Sequence, residues 1–331
     1  MKQIKGGVTA AKGYEAASTA AGIKYQGRTD MALIYSQVPC VSAGTFTTNV
    51  VKAAPVKWDR QIVDSGAGVQ AVVVNSGIAN ACTGEEGMGY CKETAEAAAK
   101  ALNIDAAGVL VGSTGVIGMQ LPMQKLVDGI QVLAGKKAEG LQSGHDAALA
   151  IMTTDTVEKE MAVEMEIGGK TVTIGGMSKG SGMIHPNMCT MLAFITTDAA
   201  ITKEALQKAL SEDVEDTYNM ISVDGDTSTN DTAILLANGL AGNQEITYAS
   251  PEYETFKEAL HMVNETLAKK MAGDGEGATA LFEVKVVGAE SIKQAKTLAK
   301  SVVCSNLTKA AIAGHDANWG RILCAMGYSG V

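Results

Sequence analysis

One threonine, Thr190, is set apart by its neighbours in the segment KGSGMIHPNMCTMLAFITTD, residues 179–198. Glycines and a proline precede it and an uncharged apolar run follows it, which predicts that it enters a buried strand or helix. A threonine hydroxyl needs an adjacent base to act as a nucleophile, and the α-amine of a chain that begins with threonine can be that base. The segment therefore suggests a cut between Cys189 and Thr190. The plain alternative is an ordinary threonine at the start of a strand.

Two glycine-rich segments contain polar groups that acyl transfer would need. In VGSTGVIG, residues 111–118, the Thr114 hydroxyl and the Gly115 amide are adjacent, and such a pair can form an oxyanion hole. In MAGDGEGAT, residues 271–279, Glu276 stands between two glycines, where its carboxylate could hold a substrate ammonium. The alternative for residues 111–118 is a tight strand-to-helix turn, and the alternative for residues 271–279 is a solvated acidic turn.

Other chemistries have less support in the sequence. His185 lies four residues before Cys189, but Pro186 disfavours the helical spacing that would bring a Cys/His pair together. The segment MISVDGDTSTND, residues 220–231, lacks the glycine that a calcium loop requires at its sixth position. The six cysteines include no C-x-x-C pair and no histidine at zinc-finger spacing. Neither a metal site nor a disulfide framework is therefore predicted.

The composition limits the classes of partner. The chain has 331 residues and a formal net charge of −9 at pH 7, and no stripe of basic and aromatic residues offsets this charge. Binding to nucleic acid is therefore not expected. Three uncharged stretches contain polar residues and glycines, which predicts a buried interior rather than a membrane span. The N-terminus has no signal-peptide pattern, so we expect a cytoplasmic location.

Short apolar strands and helical patterns alternate along the chain. Strands are predicted at residues 70–75, 108–112 and 282–287, with a hairpin over 161–176 that turns at Gly168 and Gly169. Helices are predicted at residues 94–102, 204–210, 251–270 and 292–303, and in a segment that opens at Pro122. This mixture indicates a layered α/β sandwich.

The segment around Cys189 and Thr190 resembles the self-cleavage motif of the ornithine acetyltransferases, the glutamate N-acetyltransferase family of arginine biosynthesis. Further segments resemble that family in the same order and extend over nearly the whole chain: TFTTNVVKAAPV, VVVNSGIANACTG, VGSTGVIG, AIMTTDT, VDGDTSTNDT, DGEGAT and NWGRILCAMGYSG. The resemblance implies an αββα sandwich of the self-processing, N-terminal-nucleophile type.

The resemblance also implies roles for particular residues. Cleavage between Cys189 and Thr190 would give an α segment, residues 1–189, and a β segment, residues 190–331, interwoven in one core. Thr190 would be the nucleophile, and Thr114 and Gly115 would form the oxyanion hole. The residues that match the substrate-binding positions of the family are Thr156, Lys179, Thr190 and Glu276.

The implied reaction moves an acetyl group from N2-acetyl-L-ornithine to L-glutamate by a ping-pong mechanism, without a cofactor or a metal. Whether acetyl-CoA also donates an acetyl group stays open, and an assembly of two α and two β segments is implied. The chain ends at Gly330-Val331, whereas the family usually continues with polar residues that complete the substrate pocket. This difference leaves open an uncleaved, inactive binding protein. A separate alternative is a self-processed amidase or aminopeptidase, in which water accepts the acyl group.

Overall fold

The computed structural model describes residues 1–184 and 191–331, and in these ranges it contains nine strands and nine α-helices. The strands are β1 (Lys2–Ile4), β2 (Tyr14–Thr19), β3 (Met31–Phe46), β4 (Val69–Asn75), β5 (Val109–Ser113), β6 (Lys159–Ile167), β7 (Lys170–Lys179), β8 (Leu192–Thr197) and β9 (Thr232–Ala237). The helices are α1 (Ala54–Ser65), α2 (Glu86–Leu102), α3 (Met123–Lys136), α4 (Leu141–Ala150), α5 (Lys203–Asp216), α6 (Glu252–Gly273), α7 (Ile292–Val303), α8 (Asn306–Ala313) and α9 (Trp319–Gly327).

The long strand β3 belongs to two sheets. Its first part pairs with β2 and β4, and β4 continues this first sheet by pairing with β5 in parallel. Its second part, residues 41–46, pairs with β9, and the second sheet continues through β8, β7, β6 and β1. The pairing of β3 with β4 changes register between Tyr35 and Cys40 of β3. At this irregularity β3 passes from one sheet to the other.

The two sheets pack face to face between layers of helices. Val72 and Leu110 of the first sheet share a buried apolar cluster with Phe194 and Ile234 of the second. On the outer face of the first sheet, α2 and α3 bury their alanines and leucines, and α5 and α6 do the same on the second sheet. The order of layers is therefore helix, sheet, sheet, helix, which confirms the predicted αββα sandwich.

Helix α6 leads directly to the pocket described below. It has 22 residues, and its buried face includes Phe256, Leu260, Val263 and Leu267, which recur at helical spacing. It ends at Gly273, so the acidic residues that follow it are held at the edge of the second sheet. None of the helices in the described ranges is long and apolar enough to cross a membrane.

Most of the predicted elements are found, and one is wrong. The hairpin is β6 and β7, and its turn residues Gly168 and Gly169 have the positive φ values, 57° and 75°, that such a turn requires. The predicted helices correspond to α2, α3, α5, α6 and α7. Residues 282–287 are not a strand: although their apolar residues alternate, the described part of the chain offers them no partner strand. A strand is stable only when it pairs in a sheet.

Candidate active site

A pocket of about 480 Å³ opens where the loops after β4, β5 and β7 meet the loop after α6. Four of the predicted site residues line it, namely Thr114, Gly115, Lys179 and Glu276. These residues lie far apart in the sequence, and the two sheets and α6 bring them to one edge of the sandwich.

The loop after β5 presents two free hydrogen-bond donors to the pocket. Thr114 is held by its own N–H, which donates to the Asn75 carbonyl oxygen at 3.0 Å. Neither the Thr114 hydroxyl nor the Gly115 N–H has a hydrogen-bond partner among the described residues. Gly115 has a φ of 129°, and a Cβ there would lie 2.3 Å from the Gly77 carbonyl carbon, so only glycine fits. The two donors can stabilise a negative charge that develops on a substrate oxygen.

Lys179, the last residue of β7, places an ammonium at the pocket wall. The residue is 3% exposed, and its Nζ lies 3.9 Å from the nearer Asp155 oxygen and makes no hydrogen bond to a described residue. Burial lowers the pKa of Lys179, and the Asp155 carboxylate opposes that shift. A buried ammonium whose three N–H donors meet no acceptor in the described part of the chain is suited to bind an anionic group of a ligand.

Glu276 places a carboxylate in the same pocket. Its N–H donates to the Ser181 carbonyl oxygen at 2.8 Å, which ties the loop after α6 to the loop after β7. Its carboxylate lies against Gly182: a Cβ at Gly182 would be 2.3 Å from Glu276 Oε1. The pocket therefore offers a cation and an anion at separate points, as a ligand with opposite charges requires.

Gly182→Ala is expected to weaken substrate binding and to leave folding nearly intact. The added methyl group displaces the flexible end of Glu276, whereas Gly182 itself does not have the positive φ that alanine avoids. We expect KM to rise about tenfold, since a hydrogen bond to a charged group contributes roughly 1.5–3 kcal/mol. Steady-state kinetics and a thermal melt test this, with Glu276→Gln for comparison. An unchanged KM in both variants would show that Glu276 does not contact substrate.

Thr156 is placed differently from the other predicted site residues. It does not line the pocket, and its N–H and hydroxyl both donate to the Asp274 carboxylate. The threonines just before it, Thr153 and Thr154, line the pocket instead. The substrate-binding role of Thr156 stays a prediction. Cys189 and Thr190 lie outside the described residues.

Two residues were not singled out from the sequence: Arg28, which lines the pocket, and Asp231, which acts electrostatically on Lys179. Arg28 donates to the carbonyl oxygens of Met152 at 2.8 Å and Thr153 at 2.9 Å. Asp231 is fully buried just before β9, and its Oδ1 accepts a hydrogen bond from the N–H of Met191 at 2.8 Å. Its Oδ2 has no hydrogen-bond partner among the described residues, and burial raises the pKa of Asp231 well above the ordinary value. The only sequence signal for Asp231 was its position directly before an apolar run.

In the described part of the chain, no group of three or more histidine, cysteine or acidic side chains is arranged to hold a metal ion. The pocket is instead lined by hydrogen-bond donors and single charges. Its arrangement suits the binding of a small charged molecule and the stabilisation of an oxyanion.

Comparisons with known proteins identify the family of this chain. The model of the ArgJ family matches residues 15–331. The arginine biosynthesis bifunctional protein ArgJ of Symbiobacterium thermophilum is 55% identical over 332 residues, covering 100% of this chain and 82% of that protein.

Solved structures show the same relationship. The crystal structure of ornithine acetyltransferase complexed with ornithine from Mycobacterium tuberculosis matches with a TM-score of 0.51 and 44% identity, over 55% of this chain and 95% of that chain. The L-aminopeptidase D-Ala-esterase/amidase from Ochrobactrum anthropi, at 11% identity and a TM-score of 0.50, shares the fold alone. The family predicted from the sequence motifs is confirmed, and this chain belongs to the ArgJ family.

Proposed function

We propose that this chain is a glutamate N-acetyltransferase that takes the acetyl group from N2-acetyl-L-ornithine, in arginine biosynthesis. The observation that carries the proposal is the pocket, in which two oxyanion donors, Thr114 and Gly115, lie together with the charges of Lys179 and Glu276. Acetylornithine has a carboxylate for Lys179, a side-chain ammonium for Glu276 and an amide carbonyl for the two donors. The name of the Mycobacterium tuberculosis structure, an ornithine acetyltransferase complexed with ornithine, supports this substrate class.

The acceptor also fits the charges of the pocket. Glutamate carries two carboxylates, and besides Lys179 the cationic side chains of Lys24 and Arg28 line the pocket. A second carboxylate would therefore meet positive charge in the same pocket. After ornithine leaves, glutamate would bind in the same pocket.

We propose Thr190 as the nucleophile, with its own α-amine as the base after cleavage at Cys189-Thr190. An α-amine has an ordinary pKa of about 7.7–8.0, so a useful fraction is unprotonated near neutral pH. The Thr190 hydroxyl attacks the acetyl carbonyl carbon and gives its proton to the amine. The bond between that carbon and the ornithine nitrogen then breaks, and the amine passes the proton to the leaving nitrogen. Glutamate reverses these steps, which regenerates the hydroxyl and yields acetylglutamate.

The lengths of the matched chains support the cleavage. The Mycobacterium tuberculosis chain is matched over 95% of its length by 55% of this chain, and residues 1–189 are a similar share of the 331 residues. The relatives are named bifunctional, which supports a second activity. Transfer of acetyl from acetyl-CoA to glutamate is our proposal for it. The α2β2 assembly and the cytoplasmic location stay predictions.

The purified protein is expected to consume acetylornithine rapidly only when glutamate is present. Acetylglutamate and ornithine should form in equal amounts, and double-reciprocal plots at several glutamate concentrations should be parallel, as a covalent acetyl-enzyme requires. Chromatography of both products measures this. Release of acetate at a rate that glutamate does not change would instead identify an amidase. Absence of turnover together with an intact mass of the whole chain would identify an uncleaved binding protein.

A further inference from the structure

A buried group of charges lies behind the pocket wall. We call Asp155, Lys159 and Asp274 the ion cluster. The Lys159 side chain is completely buried, and its Nζ donates to Asp155 Oδ1 at 2.8 Å and to Asp274 Oδ2 at 2.6 Å. Burial of charges is expensive, and apolar residues of similar volume often give equal stability. The ion cluster therefore calls for an explanation other than stability.

Asp155 connects the ion cluster to the cation of the pocket. Its Oδ1 also accepts the N–H of Gly180 at 2.7 Å, and its Oδ2 accepts the N–H of Thr153 at 3.1 Å. The same Oδ2 lies 3.9 Å from Lys179 Nζ. One buried carboxylate thus fixes the main chain on both sides of the pocket wall and supplies the counter-charge of Lys179.

Asp274 connects the ion cluster to the anion of the pocket. Its Oδ2 accepts hydrogen bonds from the Thr156 N–H at 3.0 Å and from Lys159 Nζ. Asp274 also lies two residues before Glu276 in the chain. Lys159 bridges Asp155 and Asp274, so the segments that carry Lys179 and Glu276 are joined through it. A shift of either segment would break a buried ion pair.

We propose that Asp155 is a positioning residue for substrate binding: it holds the Lys179 ammonium in its charged form at the pocket wall, where that ammonium binds the carboxylate of an amino-acid substrate. Through Lys159 and Asp274 it also sets the distance between the Lys179 and Glu276 charges. The pocket is thereby matched to ligands with a carboxylate and an ammonium at a fixed separation. This inference rests on the proposed function and names the residue that tunes its binding site.

The electrostatics of the site are consistent with this role. Asp155 is ionised at neutral pH, because the nearby Lys179 and Lys159 lower its pKa despite its burial. The charged groups that face Lys179 are Asp155, Lys159, Asp231 and Glu276. Burial and the repulsion from Lys159 lower the pKa of Lys179, whereas the three carboxylates raise it. Loss of the Asp155 charge removes the largest of the opposing effects, so Lys179 would lose its proton at a lower pH.

Asp155→Asn tests the proposal, because asparagine keeps the size and the carbonyl oxygen that Gly180 needs but removes the charge. We expect KM for acetylornithine to rise about tenfold to a hundredfold near pH 8, with a smaller change in kcat. The alkaline fall of kcat/KM should also move to lower pH, so that the deficit narrows as the pH is lowered. An Asp155→Asn protein with the unchanged pH profile would overturn the proposal.

Two further variants separate positioning from folding. In a Lys179→Met background, Asp155→Asn should raise KM much less than it does in the wild-type protein, because most of its effect passes through Lys179. Full additivity of the two changes would contradict the proposal. If Asp155→Asn alone folds poorly, Asp155→Asn with Lys159→Met keeps the charge balance of the cluster. The alkaline fall of its kcat/KM should still lie at lower pH than in the wild type, since the attraction lost with Asp155 is larger than the repulsion lost with Lys159. An alkaline fall at the wild-type position in either folded variant would contradict the proposal.

Asp59 provides a matched control. It is also fully buried, and its Oδ1 accepts a hydrogen bond from the Val111 N–H at 2.8 Å. Its Oδ2 has no partner among residues 1–184 and 191–331, and Asp59 does not line the pocket. Asp59→Asn should leave the pH profile of kcat/KM unchanged. A shift equal to that of Asp155→Asn would mean that any buried carboxylate has the effect and would overturn the specific role. Wild-type protein without acetyl transfer would refute the proposed function itself, which is a separate outcome.

Discussion

The Thr190→Ala protein is expected to remain a single polypeptide of 331 residues and to lose acetyl transfer at least about a thousandfold. Alanine has no hydroxyl to attack the Cys189 carbonyl, so the proposed cut cannot occur. Without the cut no α-amine is formed, so the base is lost together with the nucleophile. A denaturing gel, the intact mass and the rate of acetylglutamate formation measure these effects.

Thr190→Ser is the control for this variant. Serine retains the hydroxyl but lacks the β-branch that restricts χ1, so cleavage and transfer should persist at reduced rates. Cleaved Thr190→Ala protein would place the cut elsewhere in the chain. Full transfer activity of Thr190→Ala would exclude Thr190 as the nucleophile.

Thr114→Val is expected to lower kcat for acetyl transfer about a hundredfold to a thousandfold, with little change in KM. Valine keeps the shape of threonine and removes the hydroxyl that lies free in the pocket. An oxyanion forms only as the reaction proceeds, so the loss should affect the transition state more than the bound substrate. The Gly115 N–H remains, which is why we do not expect complete inactivation.

The same two donors would also stabilise the oxyanion of self-cleavage. The transfer rate of Thr114→Val should therefore be expressed per cleaved chain, from the proportion of fragments on a gel. Thr114→Ser keeps a hydroxyl and should retain most of the activity. If KM rises and kcat does not change in Thr114→Val, the hydroxyl binds the ground state, and the assignment to an oxyanion hole is wrong.

The sequence predicted much of the fold because its signals are local. Gly168 and Gly169 between alternating apolar residues predicted the β6–β7 hairpin, and Pro251 marked the start of α6. The strand β3 was not predicted. Its first four residues are all buried, with Ala32 and Ile34 between the two sheets and Met31 and Leu33 under the outer helices, so no apolar/polar alternation marks it. Residues 282–287 show the opposite error, since their local pattern is that of a strand and the described chain gives them no partner.

For the candidate site, the sequence by itself determined the family and predicted the reactive side chains. Glycine-rich motifs identified Thr114, Gly115 and Glu276, and the cut motif identified Lys179 and Thr190. Only the tertiary structure decided that four of these line one pocket, that Thr156 binds Asp274 instead, and that Asp155 stands behind Lys179. The reason is physical: Lys159 and Asp274 are 115 residues apart, and the strength of their ion pair depends on burial and distance, neither of which a local pattern encodes.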